Sequence, residues 1–496
     1  MELRLGARKS DLARLQAYQV GEALEKAHPN IRVQYDFRQS LGDKNLNDPL
    51  WKMPEKGVFT EDFREGLLKG KWDLVVHSWK DLPIDMEEGT ELAATLPRAD
   101  IRDMLFFKKS HFSKVQNEKK LRVYSSSPRR IYNLTPFFQE HFPIALDTVE
   151  FESVRGNILT RFEKLAEDNG MDGIIVAKAA IDRLLDVEGE EFVPGKTRLR
   201  ELLSELLWQI LPLSWNPAAA AQGALAVEIS SGRNDLKNLL GAIHCDKTWT
   251  DVQKERTVLK SYGGGCHQKI GVSVLSRDYG EVFFLKGETE AGEVLDPWKY
   301  RSFSAELKKP LVKQPQWFER EEVPFTLSEG VNAHYVARSQ SLPRGVTPGS
   351  SDIVWTSGLR TWKALARRGI WVHGTSDSLG EQEPMGLESL CENLHWVKWT
   401  HEEAPEVGGK QKVASYRLKP QSVSMDISEY EEFFWMSGSQ FQEACRQFPE
   451  LLGKKHFCGP GHTYDLICEV LEKKGIQQKP YRLPGYAHWQ EMTKDK

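Results

Sequence analysis

Two short apolar runs constrain the fold most: Asp73-Leu74-Val75-Val76-His77 and Asp172-Gly173-Ile174-Ile175-Val176-Ala177. Both are too brief for helices and follow polar or turn-like entries, so they read as buried strands of a parallel sheet. A helical pattern precedes the first at Thr60–Leu68, and another follows the second at Lys178–Leu185. Strand and helix in alternation predict βαβ units and an open α/β sheet. Ligands in such folds lie beyond the carboxyl ends of the strands, where Ser78, Lys80 and Asp81 fall. At 496 residues the chain is too long for one core and is expected to form three or four domains.

Composition narrows the function classes. A formal charge of −4 argues against a nucleic-acid partner. No apolar run reaches the length of a membrane span, and the N-terminus lacks the apolar stretch of a signal peptide. A cytoplasmic protein with no membrane partner is therefore expected. The six cysteines, at 245, 266, 391, 445, 458 and 468, show no CxxC spacing and read as reduced thiols. The thirteen histidines show no paired ligand spacing, so no metal is expected.

Four motifs carry chemistry. Cys266 follows three glycines in Gly263-Gly264-Gly265-Cys266-His267-Gln268, which leaves a thiol uncrowded on a loop. Upstream stand His77-Ser78-Trp79-Lys80-Asp81-Leu82-Pro83, Ser125-Ser126-Ser127-Pro128-Arg129-Arg130, and Val154-Arg155-Gly156-Asn157 with Arg161 beyond it. The spacing of Arg155 and Arg161 fits one loop and the first helical turn after it. A thiol, one acid at a strand end and scattered arginines point to a covalently held, multiply carboxylated ligand, because Arg forks bind carboxylates bidentately. By spacing alone, Asp81 equally suits the cap of a helix or turn beginning at Leu82-Pro83.

These motifs, with Gly6-Ala7-Arg8-Lys9-Ser10, Gly42-Asp43-Lys44, Lys56-Gly57-Val58-Phe59 and Ala221-Gln222-Gly223-Ala224-Leu225, fall in one family's order. Residues from about 2 to 310 resemble hydroxymethylbilane synthase, also called porphobilinogen deaminase. The resemblance implies two α/β lobes arranged like type-II periplasmic binding proteins, with the chain crossing between them twice. Lobe 1 would take 1–98 and 220–240, lobe 2 would take 99–215, and a small α/β domain at 241–308 would carry the Cys loop. It implies a transferase of tetrapyrrole (haem) biosynthesis that joins four porphobilinogen units head to tail with loss of ammonia. They would be joined onto a dipyrromethane cofactor held by a thioether at Cys266, and hydrolysis would release hydroxymethylbilane.

The same resemblance assigns residues. Asp81 and Lys80 would be catalytic; a buried carboxylate near the pyrrole N–H serves the leaving amine and faces the cationic azafulvene. Ser78, Lys80, Asp81, Ser126, Ser127, Arg129, Arg130 and Arg155 would hold the cofactor. Arg8, Ser10, Arg161 and Arg183 would bind substrate, with Lys52, Lys56 and Phe59 in a lid over the site. The implied protein is a monomer whose partner is the small molecule porphobilinogen. Departures from the family pattern are Pro128 for Leu, Asp11 for Pro, and Ala218 to Ala221 for Val-Gly. The segment Gly189–Pro217 has no functional reading. A binding module that merely kept the fold would be expected to lose the thiol or the acid, and both are present.

Beyond residue 308 the chain changes character. Residues 309–330, rich in proline and charge, read as a linker. Eight of the fifteen tryptophans lie after residue 310. Two segments repeat one pattern of strand, Ser-Gly turn, helix, strand and glycine turn: Asp352–Gly358 through Gly374, and Glu432–Gly438 through Gly461. The pair resembles the two halves of uroporphyrinogen-III synthase, with Tyr335–Ser339 as its first strand and Tyr416–Pro420 as its middle one. For 331–496 three readings stay open: an enzyme that cyclises the product to uroporphyrinogen III, a non-catalytic tetrapyrrole-binding module, and a doubled α/β unit of no enzymatic meaning.

Overall fold

Near-continuous apolar runs become the central strands. Leu74–Val76 and all of Gly173–Ala177 are buried, as expected for strands covered on both faces. The computed structural model describes residues 1–39, 61–264, 268–295, 298–300, 307–406, 408–483 and 485–494. Lys52, Lys56, Phe59 and Cys266 lie outside the described residues.

The first sheet contains β1 (Glu2–Arg8), β2 (Arg32–Arg38), β3 (Leu74–Ser78), β4 (Thr90–Ala94) and β10 (Leu225–Ser230), in the order β2-β1-β3-β10-β4. The second contains β5 (Asp103–Lys108), β6 (Lys120–Tyr124), β7 (Thr148–Glu152), β8 (Gly173–Ala177) and β9 (Leu206–Ile210), in the order β7-β6-β8-β5-β9. In each five-stranded sheet four strands share one direction and the fourth in the order is antiparallel to them. That fourth strand, β10 or β5, is the one arriving from the other lobe. One topology used twice, with two crossings, is the type-II periplasmic-binding-protein arrangement that the resemblance implies.

The crossings are fastened to each other. Ala99 N donates to Gly223 O at 3.3 Å and Arg98 Nε to Gln222 O at 2.9 Å. Gly223 has φ +83, and a Cβ there would lie 2.7 Å from Ala99 O, so only glycine fits this approach. The third domain contains β11 (Gly271–Arg277), β12 (Gly280–Glu288), β13 (Val294–Leu295) and β14 (Trp298–Tyr300), with the helix Asp246–Ser261 packed on them. Glu255 of that helix is wholly buried. Its carboxylate accepts a bidentate Arg98 fork at 2.8 Å and the amides of Ala221 and Val274, pinning the domain to the crossings.

The C-terminal part holds two sheets. The larger has the order β15-β20-β19-β16-β17-β18, from β15 (Phe318–Glu322), β16 (Ala333–Val336), β17 (Ile353–Thr356), β18 (Gly374–Thr375), β19 (Trp396–His401) and β20 (Gln411–Pro420). The smaller is β21 (Glu432–Trp435), β22 (Lys455–Cys458) and β23 (Tyr481–Arg482). The repeated pattern is visible here: helix Leu359–Ala366 links parallel β17 and β18, and helix Gly438–Gln447 links parallel β21 and β22. The expected linker at 309–330 is corrected. Its Phe318–Glu322 is the edge strand β15 on β20, and Leu311 and Trp317 are buried in the core of the smaller lobe. An edge strand with charged, solvent-facing residues leaves no apolar alternation to read.

The segment Gly189–Pro217 also acquires a role. After the helix Val193–Ser204 it forms edge strand β9, and Ile210 N donates to His373 O while Gln209 Nε2 donates to Val372 O. Phe137, Leu211, Trp362 and Val372 share one core, so lobe 2 and the C-terminal part are packed as a unit. Among the described residues, no helix is long and apolar enough to cross a membrane.

Candidate active site

β3 ends in a single 3₁₀ turn, Trp79–Asp81, which brings Lys80 and Asp81 to the mouth between the lobes. Trp79 anchors it: buried, its ring lies 4.9 Å from Trp249 and its N–H donates to Ala224 O at 3.0 Å. No helix begins at Leu82, which continues in extended backbone, so Asp81 is not a helix cap. Its carboxylate is exposed and accepts no hydrogen bond from the described residues. Lys80 is half-buried, its Nζ 3.5 Å from Gln222 Oε1. Burial pushes its ammonium below the usual lysine range against the pull of Asp81, and the nearby Arg130 and Arg129 charges add to the push.

Lobe 2 supplies the cations. Ser127 caps the helix Pro128–His141 by accepting from Arg130 N, and Pro128 occupies the first turn, where its missing N–H costs nothing. The departure from the family's leucine thus fits the helix start. Asn157 caps the helix Ile158–Glu167 by accepting from Thr160 N at 2.8 Å, which places Arg161 in the first turn as the spacing predicts. Arg161 donates through Nε to Gly156 O at 2.8 Å. Burial lowers its pKa, with Arg130 and Arg155 lowering it further and Asp81 opposing them. Lys80, Asp81, Arg130, Arg155 and Arg161 therefore form one electrostatic cluster spanning both lobes.

Asp103, which the motif reading did not single out, organises the cluster. Buried at the entry of β5, it accepts from Arg129 Nη2 at 2.9 Å, Arg130 Nη2 at 2.6 Å, Asn216 Nδ2 at 2.9 Å and Gln222 Nε2 at 2.9 Å. Burial alone would raise its carboxyl; the Arg130 and Arg129 guanidiniums outweigh this and hold it far below the usual range. Arg129 is consumed by protein, since its Nη1 also donates to Asn216 Oδ1 and Pro217 O. Arg130 differs: Nη1 donates to Ile175 O, but Nε is buried without a partner among the described residues. The only local signal for Asp103 is a charge opening an otherwise apolar strand.

The remaining expected residues divide. Arg8 and Ser10 follow the carboxyl end of β1, beside the end of β3; Ser10 stands at the helix start without capping it. Ser78 Oγ donates to the Gln16 side chain at Oε1, 3.0 Å, and Ser126 Oγ to the backbone at Val154 O, 3.4 Å. Arg183 donates to Gly223 O at 2.9 Å from the hinge side, and burial pushes its pKa down to about 10. The chain leads into 265–267 from Gly264, which lies against Ile84: a Cβ on Gly264 would be 2.9 Å from Ile84 Cδ1. Helix Asp246–Ser261 holds that junction, with Lys260 Nζ 2.6 Å from Asp85 Oδ1 and Arg256 bonded to Leu82 O and Pro83 O. Gly264 thus abuts a residue three positions along the chain from Asp81.

The donor set tests the implied cofactor. Lys80, Arg130 and Arg161 gather around Asp81 and an Asp103 already paired twice, and among the described residues Arg130 Nε has no acceptor. Such a cleft fits a ligand with several carboxylates.

Fold and site together define a two-lobed α/β protein with a cationic cluster between the lobes and a third domain docked on the crossings. The chain belongs to the porphobilinogen deaminase family. The family model described as porphobilinogen deaminase, dipyromethane cofactor binding domain, matches residues 3–238. The porphobilinogen deaminase of Lachnospira eligens is 31% identical over 299 residues, covering 60% of this chain and 92% of that protein. That of Syntrophomonas wolfei is 34% identical over 285 residues, covering 58% and 84%. Among solved structures, an arginine transport periplasmic binding protein from Legionella pneumophila is similar at 11% identity and a TM-score of 0.24, covering 53% of this chain and 95% of that one. So slight a likeness adds nothing to the strand orders. The similarity of 331–496 to uroporphyrinogen-III synthase rests on the internal repeat alone.

Proposed function

We propose that this chain is a hydroxymethylbilane synthase: it joins four porphobilinogen units head to tail with loss of ammonia and releases the linear tetrapyrrole by hydrolysis. The observation that carries the reading is the charge cluster spanning the two lobes, in which Asp81 and Lys80 of lobe 1 interact electrostatically with Arg161 and Arg130 of lobe 2, while Gly264, two residues before Cys266 in the sequence, abuts Ile84. A dipyrromethane bound at Cys266 supplies a pyrrole primer for chain growth. Arg130, Arg155 and Lys80 would hold its carboxylates, and Arg161 with Arg8 would receive those of the incoming substrate. Asp81, exposed and accepting no hydrogen bond from the described residues, suits a group that meets the pyrrole N–H and the positive charge left as ammonia departs. Arg129 and Asp103 position this array rather than touch the ligand. The working form is a monomer acting in the cytoplasm on a small-molecule substrate, without a nucleic-acid partner.

The test is the intact mass of the purified protein. Two pyrrole units of added mass, abolished in Cys266→Ser, support the reading; an unmodified chain that makes no tetrapyrrole from porphobilinogen overturns it.

A further inference from the structure

One segment of the C-terminal part reaches the two-lobed enzyme at four separate places. Asp377 Oδ2 accepts from Ser214 N at 2.8 Å and Oδ1 accepts from Ser214 Oγ, on the return crossing. Glu383 pairs with Arg277 at the end of β11 in the third domain, Nε to Oε2 at 3.2 Å. The carbonyl of Met385 accepts from Arg102 Nη2 at 2.7 Å, on the outgoing crossing next to Asp103. Ser389 Oγ donates to Asp182 Oδ1 at 2.6 Å, on a helix of lobe 2. The segment is shaped for close approach. Asp377 and Ser378 both have positive φ, +51 and +63, a conformation that non-glycine residues adopt at a cost. At Gly386, with φ +67, a Cβ would lie 2.8 Å from Asp100 Oδ2.

These contacts close a mechanical loop. The third domain is bound to lobe 1 through Lys260 to Asp85 and Arg256 to Pro83. The segment binds the same domain, through Arg277, to lobe 2. The C-terminal part is itself joined to lobe 2 by a shared core and by Trp362 Nε1 to His141 O at 2.9 Å. A second tie, Arg482 to Asp278 at 2.9 Å, reinforces the third-domain side.

We propose that Asp377–Ser389 is a brace that limits how far the two lobes separate, so that the C-terminal part positions Asp81 against the arginines of lobe 2 and restrains the cleft as the bound chain lengthens. Asp377 and Glu383 are positioning residues: they touch neither substrate nor the reacting atoms. The proposal rests on the reading of the cleft as one that grows an oligopyrrole.

The experiment compares the full-length wild-type protein, the Asp377→Asn/Glu383→Gln double variant, and Glu383→Asp. Hydrogen exchange at 97–103, 212–224 and 271–277 should accelerate about tenfold in the double variant while Glu2–Arg8 keeps its protection. After a brief exposure to porphobilinogen, intact masses with three and four added units should gain about threefold over those with one, because neighbouring contacts couple by factors of this order. Glu383→Asp should restore the wild-type pattern in both measurements. Unchanged exchange at the crossings overturns the brace, as does an unchanged mass distribution or a shift toward shorter chains. Protection lost equally in Glu2–Arg8 also overturns it, since the contacts would then only stabilise the fold. Wild-type protein without pyrrole mass would remove the catalytic reading instead, and the exchange comparison would still decide whether the segment restrains the crossings.

Discussion

Arg129 Nη2 donates to Asp103 Oδ2 at 2.9 Å inside the hinge, and the same carboxylate holds Arg130 through its other oxygen at 2.6 Å. One buried acid thus orients two adjacent arginines, one toward the return crossing and one toward the cleft. A carboxylate buried between two guanidiniums is retained only while both partners remain, because an unpaired buried charge is strongly unfavourable.

Asp103→Asn is therefore expected to destabilise the fold by about 3–5 kcal/mol, the usual cost of breaking one side of a buried ion pair. Urea unfolding followed by tryptophan fluorescence measures it. A midpoint equal to wild type would mean that Asn216 and Gln222 hold the arginines without the charge.

Asp81→Asn should behave in the opposite way. The side chain is exposed and unbonded among the described residues, so folding and covalent cofactor should be unaffected. Turnover should fall on the order of a hundredfold or more, as for loss of one well-placed electrostatic group. Steady-state rates with porphobilinogen, alongside intact mass, give the answer; activity within about threefold of wild type would remove Asp81 from the chemistry.

What was legible in the sequence was whatever local chemistry determines. The runs at 73–77 and 172–177 announced their strands because strands buried on both faces tolerate little but apolar side chains. The Arg155–Arg161 spacing announced a loop and the first helical turn, and the Ser-Gly repeats announced two strand–helix–strand units. Asp103 was not legible, because its partners lie 26, 27, 113 and 119 residues away and only the closed hinge assembles them. The inward turn of Arg129 was illegible for the same reason: an Arg-Arg pair gives no sign of which fork turns toward Asp103 and Asn216. The edge strand Phe318–Glu322 hid among charges, and the docking role of Gly189–Pro217 depends on a partner surface more than a hundred residues on.

Acid should loosen the joint between lobe 2 and the C-terminal part first. Burial pushes the His141 imidazole down to about 4 and that of His373 to about 3, from an ordinary 6.5. Both line the joint: His141 stacks on Phe137 at 4.7 Å, and His373 meets Trp208 at 4.6 Å. Below pH 6.5 the unfolded chain takes up protons that the folded one refuses. Stability is thus fully present above that pH and is lost progressively as pH falls toward 4 and 3. Thermal unfolding at a series of pH values between 7.5 and 4.5 (about one pH unit apart) should show this slope, and a neutral His373→Gln should flatten it. A slope identical in His373→Gln and His141→Gln would place the acid sensitivity elsewhere.

The six cysteines should divide sharply. Burial pushes the Cys391 thiol up to about 11 and that of Cys445 to about 12, and Cys458 is wholly buried, so these three form little thiolate near neutral pH. Cys266 follows three glycines in the sequence, of which Gly264 lies against Ile84. Thiolate is the nucleophilic form of cysteine, and a serine hydroxyl of nearly the same size is far less reactive at that pH. Cys266→Ser is expected to fold with wild-type unfolding behaviour, to carry no added pyrrole mass, and to be inactive. Serine or alanine at 245, 391, 445, 458 and 468 should leave the added mass in place, with stability losses where the thiol is buried. Intact mass across the six single variants decides the matter. A Cys266→Ser protein that still makes tetrapyrrole at the wild-type rate would detach the cysteine loop from the chemistry and leave the cationic cleft without its primer.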